Sequence, residues 1–294
     1  MPIKKPAFLK LPYILQYPVV AFSVLLLLYP LAYVFWLSTV KLNLHESWVP
    51  EFVGLGNYIK MFADPLFYYT LWNSLIWSLG STIGHFCLGL GFALLMNEEF
   101  KGRAFFRGVF FIPWVVPITV TGIIWRWVLS PDWGLYTNIL RTLGILGEKE
   151  VIDWLADPNL TWPMVIYVNL WKAYPFMYVC FLSALQTIPP TLYEAAQIDG
   201  AGTLDRFRYI TWPILKPVSA LMFLLGTIWT FINFEVIWLL TSGGPGYFTT
   251  TYAPYVYILS FKFWRFGDGA AYGVFGLIIC LIFAAIYIKR FMGG

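Results

Sequence analysis

The sequence is short of charged residues, histidine and cysteine. Of its 294 residues, 12% are Asp, Glu, Lys or Arg and 60% are hydrophobic, with two histidines and three cysteines. Soluble globular proteins carry about 25% charged residues, so this chain cannot cover a water-facing surface and most of it must lie in lipid. The composition excludes a disordered protein, a nucleic-acid-binding protein and a secreted disulfide scaffold. Cys87, Cys180 and Cys280 lie far apart inside apolar runs, which indicates neither a disulfide nor a metal cluster.

Long apolar stretches make up most of the chain. A transmembrane helix needs about 20 mostly apolar residues, and six stretches are that long. Their apolar residues are continuous rather than alternating, which favours helices over barrel strands. The first stretch is too long for a signal peptide and lacks a small-residue cleavage site, so we expect a retained anchor. The sequence thus predicts an all-α membrane protein with one polytopic domain over residues 1–294 and six transmembrane helices at about 17–40, 71–96, 108–129, 162–188, 217–241 and 270–288.

The distribution of lysine and arginine predicts how these spans are oriented. If the N-terminus is cytoplasmic, the inner segments carry eleven Lys and Arg residues and the outer loops carry six, with Arg126 and Lys172 inside spans. The outer loops are also longer, so positive charge is denser on the inner side. Both the N- and C-termini are therefore expected to be cytoplasmic. The longest outer loop, residues 130–161, is mildly acidic and is expected to form a small folded extracytoplasmic feature.

Missing motifs narrow the function further. No Gly-Lys dipeptide occurs, so the chain cannot form the phosphate-binding loop that ends in Gly-Lys-Ser/Thr. A membrane-embedded enzyme would need paired catalytic residues, which two histidines and isolated acids do not supply. An ion-coupled secondary transporter would need internal repeats and a relay of buried carboxylates or histidines, yet Glu235 is the one acid inside a predicted span. His85 is expected to be a packed or hydrogen-bonded histidine rather than a metal ligand.

The inner segment at residues 189–216 has the pattern of a docking element. A Pro-Pro pair ends the fourth span, and Thr191 with Glu194 forms a capping box that predicts a short helix through about Ile198. Gly200 follows, where the chain can turn without a side chain. A short rigid helix of this kind can transmit a push from a cytoplasmic partner into the two flanking spans. The residues alone leave an ordinary helical hairpin between spans equally open.

Ionisable side chains inside the spans are candidate functional residues, because they are costly there. Aromatic residues at helical spacing surround Lys172, as either a packing stripe or a platform for sugar rings. Pro175 is predicted to break the fourth span, so that freed backbone carbonyls line a cavity. Glu235 is expected either to pair with Lys172 or Arg126 or to take a gating or ligand role. Arg126, flanked by two tryptophans near a helix end, is expected to extend to the interface.

Two motifs resemble those of a known family. Glu194-Ala195-Ala196 and Gly200, with an Ile and a Pro further on, resemble the EAA signature of ABC importer permeases: E-A-A, three residues, G, nine residues, I, one residue, L-P. Trp212 stands where that pattern usually has Leu, a departure that affects packing more than coupling. The run 240–245, Leu-Thr-Ser-Gly-Gly-Pro, is similar to the LT-x-GGP segment of the carbohydrate-uptake, maltose-transporter-like permeases.

The resemblance implies the permease subunit of a binding-protein-dependent type I ABC importer, which moves a sugar or oligosaccharide inward by alternating access and is not an enzyme. The implied partners are a second homologous permease chain, two copies of an ABC ATPase subunit and an extracytoplasmic solute-binding protein, in a bacterial or archaeal cell (inner) membrane. ATP and Mg would be used by the ATPase subunits, with no cofactor bound by this chain. The residues implied to couple to the ATPase are Glu194, Ala195, Ala196, Asp199 and Gly200.

The same resemblance carries the sugar-contacting positions of the maltose-type permease onto this sequence. An alignment on the Gly-Gly-Pro segment places three of these positions in the fifth span. An alignment on the residues before the EAA loop places the other three in the fourth span. Asn233 keeps the amide of the family, whereas Thr230 is a shorter polar group and Lys172 is a departure. The lysine leaves open an anionic ligand, such as glycerol phosphate or a uronate oligosaccharide, as the alternative to a neutral sugar. With Glu235 added, the predicted substrate-binding residues are Lys172, Ala173, Phe176, Gly226, Thr230, Asn233 and Glu235.

Overall fold

The computed structural model describes residues 11–147 and 149–291, which form thirteen α-helices and one short β-hairpin. Lys4, Lys5 and Lys10, on which the predicted orientation partly rests, lie outside the described residues. The helices of the first half are α1 (Leu11–Ser38), α2 (Gly56–Ala63), α3 (Pro65–Asn97), α4 (Arg103–Val115), α5 (Ile118–Val128) and α6 (Leu135–Thr142), and the hairpin strands are β1 (Val40–Lys41) and β2 (Glu51–Phe52). Those of the second half are α7 (Thr161–Leu185), α8 (Pro190–Ile198), α9 (Thr203–Arg206), α10 (Trp212–Phe231), α11 (Glu235–Thr241), α12 (Tyr252–Tyr257) and α13 (Phe266–Phe291).

The described residues contain five continuous helices that are long and apolar enough to cross a membrane. A sixth candidate is the bent pair α4 and α5. This agrees with the predicted helical protein of six spans, although helix bounds differ from the hydropathy estimate by several residues. Because α9, the π-helical turn Phe207–Thr211 and α10 run on as one helix, the fifth span begins well before residue 217. The continuous spans are Gln16–Ser38, Pro65–Asn97, Thr161–Leu185, Thr203–Phe231 and Phe266–Lys289.

The third span is broken rather than continuous. α4 and α5 meet at an angle of 93°. Val116 between them is extended, with φ −61° and ψ 127°, because the residue before a proline is pushed out of the helical region and Pro117 follows it. The span predicted at 108–129 is therefore present as two helices with a bend between them rather than as one helix. The break leaves the carbonyls at the C-terminal end of α4 without partners inside their own helix.

The predicted break in the fourth span and the predicted continuous helix of the fifth span were both wrong. α7 runs through Pro175 without interruption, and that proline is buried in the packed face of the helix; neighbouring helices allow a membrane helix to keep its course past a proline. The fifth span instead ends at Phe231, ten residues earlier than predicted, and resumes as α11. In the gap, Asn233 Oδ1 accepts a hydrogen bond of 3.2 Å from the backbone N–H of Val236.

The chain divides into two compact units, Met1–Asp64 with Val256–Ile278 and Pro65–Tyr255 with Ile279–Gly294. In the second unit α3 and α7 form the main helix pair, and α10 packs against both. Small residues of α3 face this interface, among them Gly80 and Gly84, where an added Cβ would meet Ile166 and Leu170 of α7. Small side chains let membrane helices approach closely. The prediction of one domain over residues 1–294 stays a prediction.

Gly89 lies where the backbones of α3 and α7 approach closely. A Cβ at this position would lie 2.7 Å from Met177 Cβ and 2.9 Å from the backbone nitrogen of Tyr178. We expect Gly89→Ala to lower the free energy of unfolding by about 1–3 kcal/mol, because α7 cannot move away without repacking the core. Gly91→Ala is the matched control on the same helix, since a Cβ there meets nothing within 4 Å. Thermal unfolding in detergent measures both; equal midpoints would contradict the packing argument.

The first unit is built around the hairpin. β1 and β2 pair antiparallel, with Val40 opposite Phe52, and the buried Asn57 amide donates to the carbonyls of Ser38 and Val40 at 2.9 and 2.8 Å. Lys41 and Glu46 form an exposed ion pair of 2.7 Å in this unit, and Arg265 and Asp268 form a partly buried one of 2.7 Å. The apolar window of α1 has no buried residue.

Candidate functional site

Six of the seven predicted substrate-binding residues line a single cavity of about 200 Å³ in the second unit. They come from α7, from α10 and from the gap that follows α10, which the fold brings together. The sequence could have indicated Asn169, which lies three residues before Lys172 on the same face of α7. No local sequence pattern indicated that residues of α3, α4 and α5 would also line this cavity. The predicted lining residues are Lys172, Ala173, Phe176, Gly226, Thr230 and Asn233, and the others are His85, Trp114, Ile118, Asn169, Met177 and Trp229.

Lys172 forms hydrogen bonds with backbone carbonyls at the break in the third span. Its ammonium group donates to the carbonyls of Pro113, Trp114 and Val116 at 3.1, 2.9 and 2.7 Å. These are the carbonyls that the bend at Pro117 leaves without helical partners, and a cation at a helix C-terminus also opposes the negative end of the helix dipole. An ammonium group has three donors, so all of them are used by the protein. The carbonyls predicted to come from a break at Pro175 come instead from the third span.

Aromatic rings form one side of the cavity. Phe176 lies between two tryptophans, with its ring centre 5.2 Å from that of Trp114 and 5.0 Å from that of Trp229. Trp114 also receives the Lys172 ammonium 5.7 Å from its ring centre. The three rings therefore form a connected apolar wall against which the C–H face of a sugar ring can pack.

The polar side of the cavity carries neutral groups. His85 is buried on α3, and its Nε2 lies 3.0 Å from the carbonyl oxygen of Asn169, as expected for a hydrogen-bonded histidine. The indole N–H of Trp77 donates to the carbonyl of Thr230 at 2.9 Å and holds the last turn of α10. The lining also contains the amides of Asn169 and Asn233 and the hydroxyl of Thr230. These groups suit a ligand rich in hydroxyls, because each can donate or accept a hydrogen bond.

Glu235 lies outside this cavity. It is exposed at the first turn of α11, where the Asn233 amide donates to its Oε2 at 3.3 Å. Within the described residues neither Lys172 nor Arg126 forms an ion pair with it. Of the two roles left open for Glu235, the ion pair is therefore wrong, because the broken third span supplies Lys172 with partners; the gating or ligand role stays a prediction. Arg126 is exposed in the last turn of α5.

The predicted docking helix is present as α8, but its capping differs from the prediction. The N-cap is Pro189, with no side-chain hydrogen bond, and Pro190 takes the first helical position. Proline suits that position since its missing N–H is not needed there. The capping box of Thr191 and Glu194 was therefore wrong, while the end at Ile198 was correct.

The turn after α8 depends on Gly200, which has φ +80°, a region that residues with a side chain rarely adopt. Beyond it, the hydroxyl groups of Tyr193 and Thr211 are hydrogen-bonded at 2.9 Å and tie α8 to the π-helical start of the fifth span. Ala196 is partly buried, and the other predicted coupling positions, Glu194, Ala195, Asp199 and Gly200, are exposed.

Comparison with known proteins identifies the family. Residues 85–292 match the binding-protein-dependent transport system inner membrane component family. The chain belongs to this family. It is 35% identical over 285 residues to the trehalose/maltose transport system permease protein MalF of Thermococcus litoralis, covering 95% of this chain and 93% of that protein. It is 36% identical over 265 residues to the sulfoquinovosyl glycerol transport system permease protein SmoG of Agrobacterium fabrum, with 90% and 85% coverage.

A solved structure matches this permease over nearly its whole length. A bacterial ABC transporter involved in the import of the acidic polysaccharide alginate superposes with a TM-score of 0.80 at 25% identity, covering 95% of this chain and 96% of that one. The fold is thus that of an ABC permease, a transport subunit rather than an enzyme, with several membrane-crossing helices.

The Gly-Gly-Pro segment of the permease is a compact, hydrogen-bonded loop. Gly243 has φ +85°, and its carbonyl accepts from Thr250 Oγ1 at 2.8 Å. The amide of Asn73 on α3 donates to the carbonyls of Phe248 and Thr250, each at 3.0 Å. The loop is therefore held to the main helix pair through backbone groups, and a side chain at Gly243 would strain it.

Proposed function

We propose that this permease carries an uncharged saccharide inward as one half of the pore of an ATP-driven importer. The observation that carries the proposal is the convergence of six separately assigned positions on one aromatic-lined cavity. The relative from Thermococcus litoralis belongs to a trehalose/maltose transport system, which supports the saccharide class. The family membership argues against the ion-coupled secondary transporter kept open by the sequence.

The proposed assembly contains a second homologous permease, two ATPase subunits and an extracytoplasmic solute-binding protein. The cavity of about 200 Å³ is below the roughly 300–1,000 Å³ of complete ligand sites. It is thus one wall of a larger site, and the second permease supplies the facing wall. ATP and Mg belong to the ATPase subunits. The family description as an inner membrane component supports placement in a bacterial or archaeal cell membrane.

In the proposed cycle both termini and α8 face the cytoplasm. ATP-driven closure of the ATPases draws the α8 helices together and opens the cavity outward to the binding protein. Hydrolysis then resets the pore inward. The exposure of Glu194 and Ala195, together with the fixed turn at Gly200, supports α8 as the contact with the ATPase.

A neutral ligand is favoured over an anionic one. The one cation lining the described part of the cavity is Lys172, and its three donors are bound to backbone carbonyls. An anion would have to compete with those carbonyls for the ammonium group. The test is ATPase stimulation in proteoliposomes holding the whole importer and its binding protein, with neutral and uronate-containing oligosaccharides side by side. Stimulation by acidic oligosaccharides alone would overturn the choice of a neutral substrate.

Phe176 is the central ring of the aromatic wall. We expect Phe176→Leu to raise the substrate concentration for half-maximal uptake about 3–10-fold, because ring stacking of this kind is worth roughly 0.5–1.5 kcal/mol. The maximal rate and the thermal stability should change little, since leucine keeps an apolar side chain there. Uptake kinetics in proteoliposomes measure the effect. An unchanged half-maximal concentration would remove Phe176 from the sugar site.

A further inference from the structure

A second and larger cavity of about 520 Å³ lies in the same unit and shares no lining residue with the sugar site. We call it the α10 groove, because most of its lining comes from that helix, with one side from α3 and the other from the last turns of α13. Its walls are almost entirely apolar. The lining residues are Leu79, Phe86, Trp212, Lys216, Ser219, Ala220, Phe223, Leu224, Thr227, Phe283, Ile286 and Tyr287.

The tryptophan, the lysine and the tyrosine of the groove lie toward one end of it. Trp212 is the first residue of α10, Lys216 follows one turn later, and Tyr287 lies near the end of α13. From Lys216 the lining continues to Thr227, about 16 Å along the helix at 1.5 Å per residue. Tryptophan and tyrosine beside lysine are typical of the level of lipid headgroups, whereas the apolar remainder matches the hydrocarbon layer.

Two polar groups at this end have no protein partner. In the part of the chain that the structure describes, Lys216 forms neither a hydrogen bond nor an ion pair. Ser219 lies one turn away, is 5% exposed, and its Oγ has no hydrogen-bond partner. A buried hydroxyl without a partner is unfavourable. A ligand with acceptor oxygens at this end and a hydrocarbon body would satisfy both groups.

We propose that the α10 groove binds an anionic phospholipid, with an acyl chain along the apolar wall and the phosphate beside Lys216. Ester or phosphate oxygens accept from Ser219 Oγ. Basic pockets between membrane helices on the cytoplasmic side are known to take anionic headgroups. A helix from another protein chain would fill the apolar part, but acids are rare in membrane helices, so the unpaired charge of Lys216 favours lipid.

A photoreactive benzoyl group on the ring of Phe223 identifies the occupant directly. This side chain lines the groove and is 38% exposed, so the added group fits without displacing the core. The assembled importer is irradiated in membranes that contain phosphatidylglycerol, and the product mass is measured. A mass increase of one phospholipid supports the proposal. Attachment to another polypeptide overturns it, and so does the absence of any adduct.

Lys216→Gln tests the charge. Native mass spectrometry of the complex is expected to show about five-fold weaker retention of phosphatidylglycerol and unchanged retention of phosphatidylcholine, the effect of one lysine near a membrane surface. Lys289→Gln is the matched control, an exposed lysine on α13 outside the lining. Ser219→Ala should lower retention of both lipids. Equal phosphatidylglycerol retention by the two lysine variants would overturn the headgroup assignment. None of these readouts depends on transport, so a failed sugar assignment would not affect them.

Discussion

A permease carrying Gly200→Val is expected to reach the membrane in normal amounts and to import almost no substrate. Gly200 has φ +80° at the turn after α8, and valine in this region costs about 1–3 kcal/mol of backbone strain. The turn would relieve that strain by changing conformation, which moves α8 away from the position in which we propose that it meets the ATPase. We expect uptake to fall by at least about tenfold, with substrate-stimulated ATPase activity lost in parallel.

Gly202→Val is the matched control for this result. Gly202 has an extended backbone, with φ −70° and ψ 174°, and a Cβ there would lie 3.6 Å from Asp205 Oδ2, an ordinary contact. It should transport normally. Gly200→Asn should recover part of the activity, since asparagine tolerates positive φ. Normal uptake by Gly200→Val, with membrane insertion confirmed by protease accessibility, would contradict the proposal that α8 couples the permease to the ATPase.

Replacing Lys172 with methionine is expected to lower the stability of the permease and its uptake of every substrate. Methionine keeps the length of the side chain but leaves the carbonyls of Pro113, Trp114 and Val116 without their donor. Three interhelical hydrogen bonds at roughly 0.6 kcal/mol each give a loss of about 2 kcal/mol in the free energy of unfolding. Because the same bonds position Trp114 in the cavity wall, uptake should fall roughly 10–30-fold. Thermal unfolding and uptake in proteoliposomes measure the two effects.

Two variants separate this structural role from ligand binding. Lys172→Arg keeps several donors and should retain a substantial part of both stability and uptake. Lys60→Met, at an exposed position on α2, should change neither. If Lys172 instead served an anionic ligand, Lys172→Met would unfold at the parental temperature and lose uptake of acidic substrates alone. That outcome would contradict the three-carbonyl arrangement as the reason for the lysine.

Much of the fold could be predicted from local sequence. The apolar spans are set by hydropathy summed over about 20 residues, and no distant contact is needed to find them. The turn at Gly200 likewise follows from the residue type at that position. The break at Val116 could also have been predicted from sequence, because Pro117 disfavours the helical conformation of the residue before it. It was missed since the apolar run continues across the break.

The sequence indicated several residues of the candidate site but not the contacts that those residues form. The resemblance to maltose-type permeases placed six residues that the fold does bring to one cavity. The sequence left Lys172 open as a binding group for an anionic ligand, and left an ion pair with Lys172 or Arg126 open for Glu235. Only the tertiary structure shows that the carbonyls around Lys172 come from α4 and its following bend, 56 to 59 residues earlier in the chain.

The sequence by itself determined that this is a helical membrane permease, where its apolar spans lie and that a short helix follows the fourth span, because hydropathy and turn preferences act over a few neighbouring residues. Only the tertiary structure decided whether Pro175 bends its helix and which groups neutralise Lys172. Those outcomes depend on which unpaired carbonyls and which packing surfaces approach from distant helices. In lipid every backbone polar group must find a partner within the protein, and that partner is selected by packing, which local sequence does not encode.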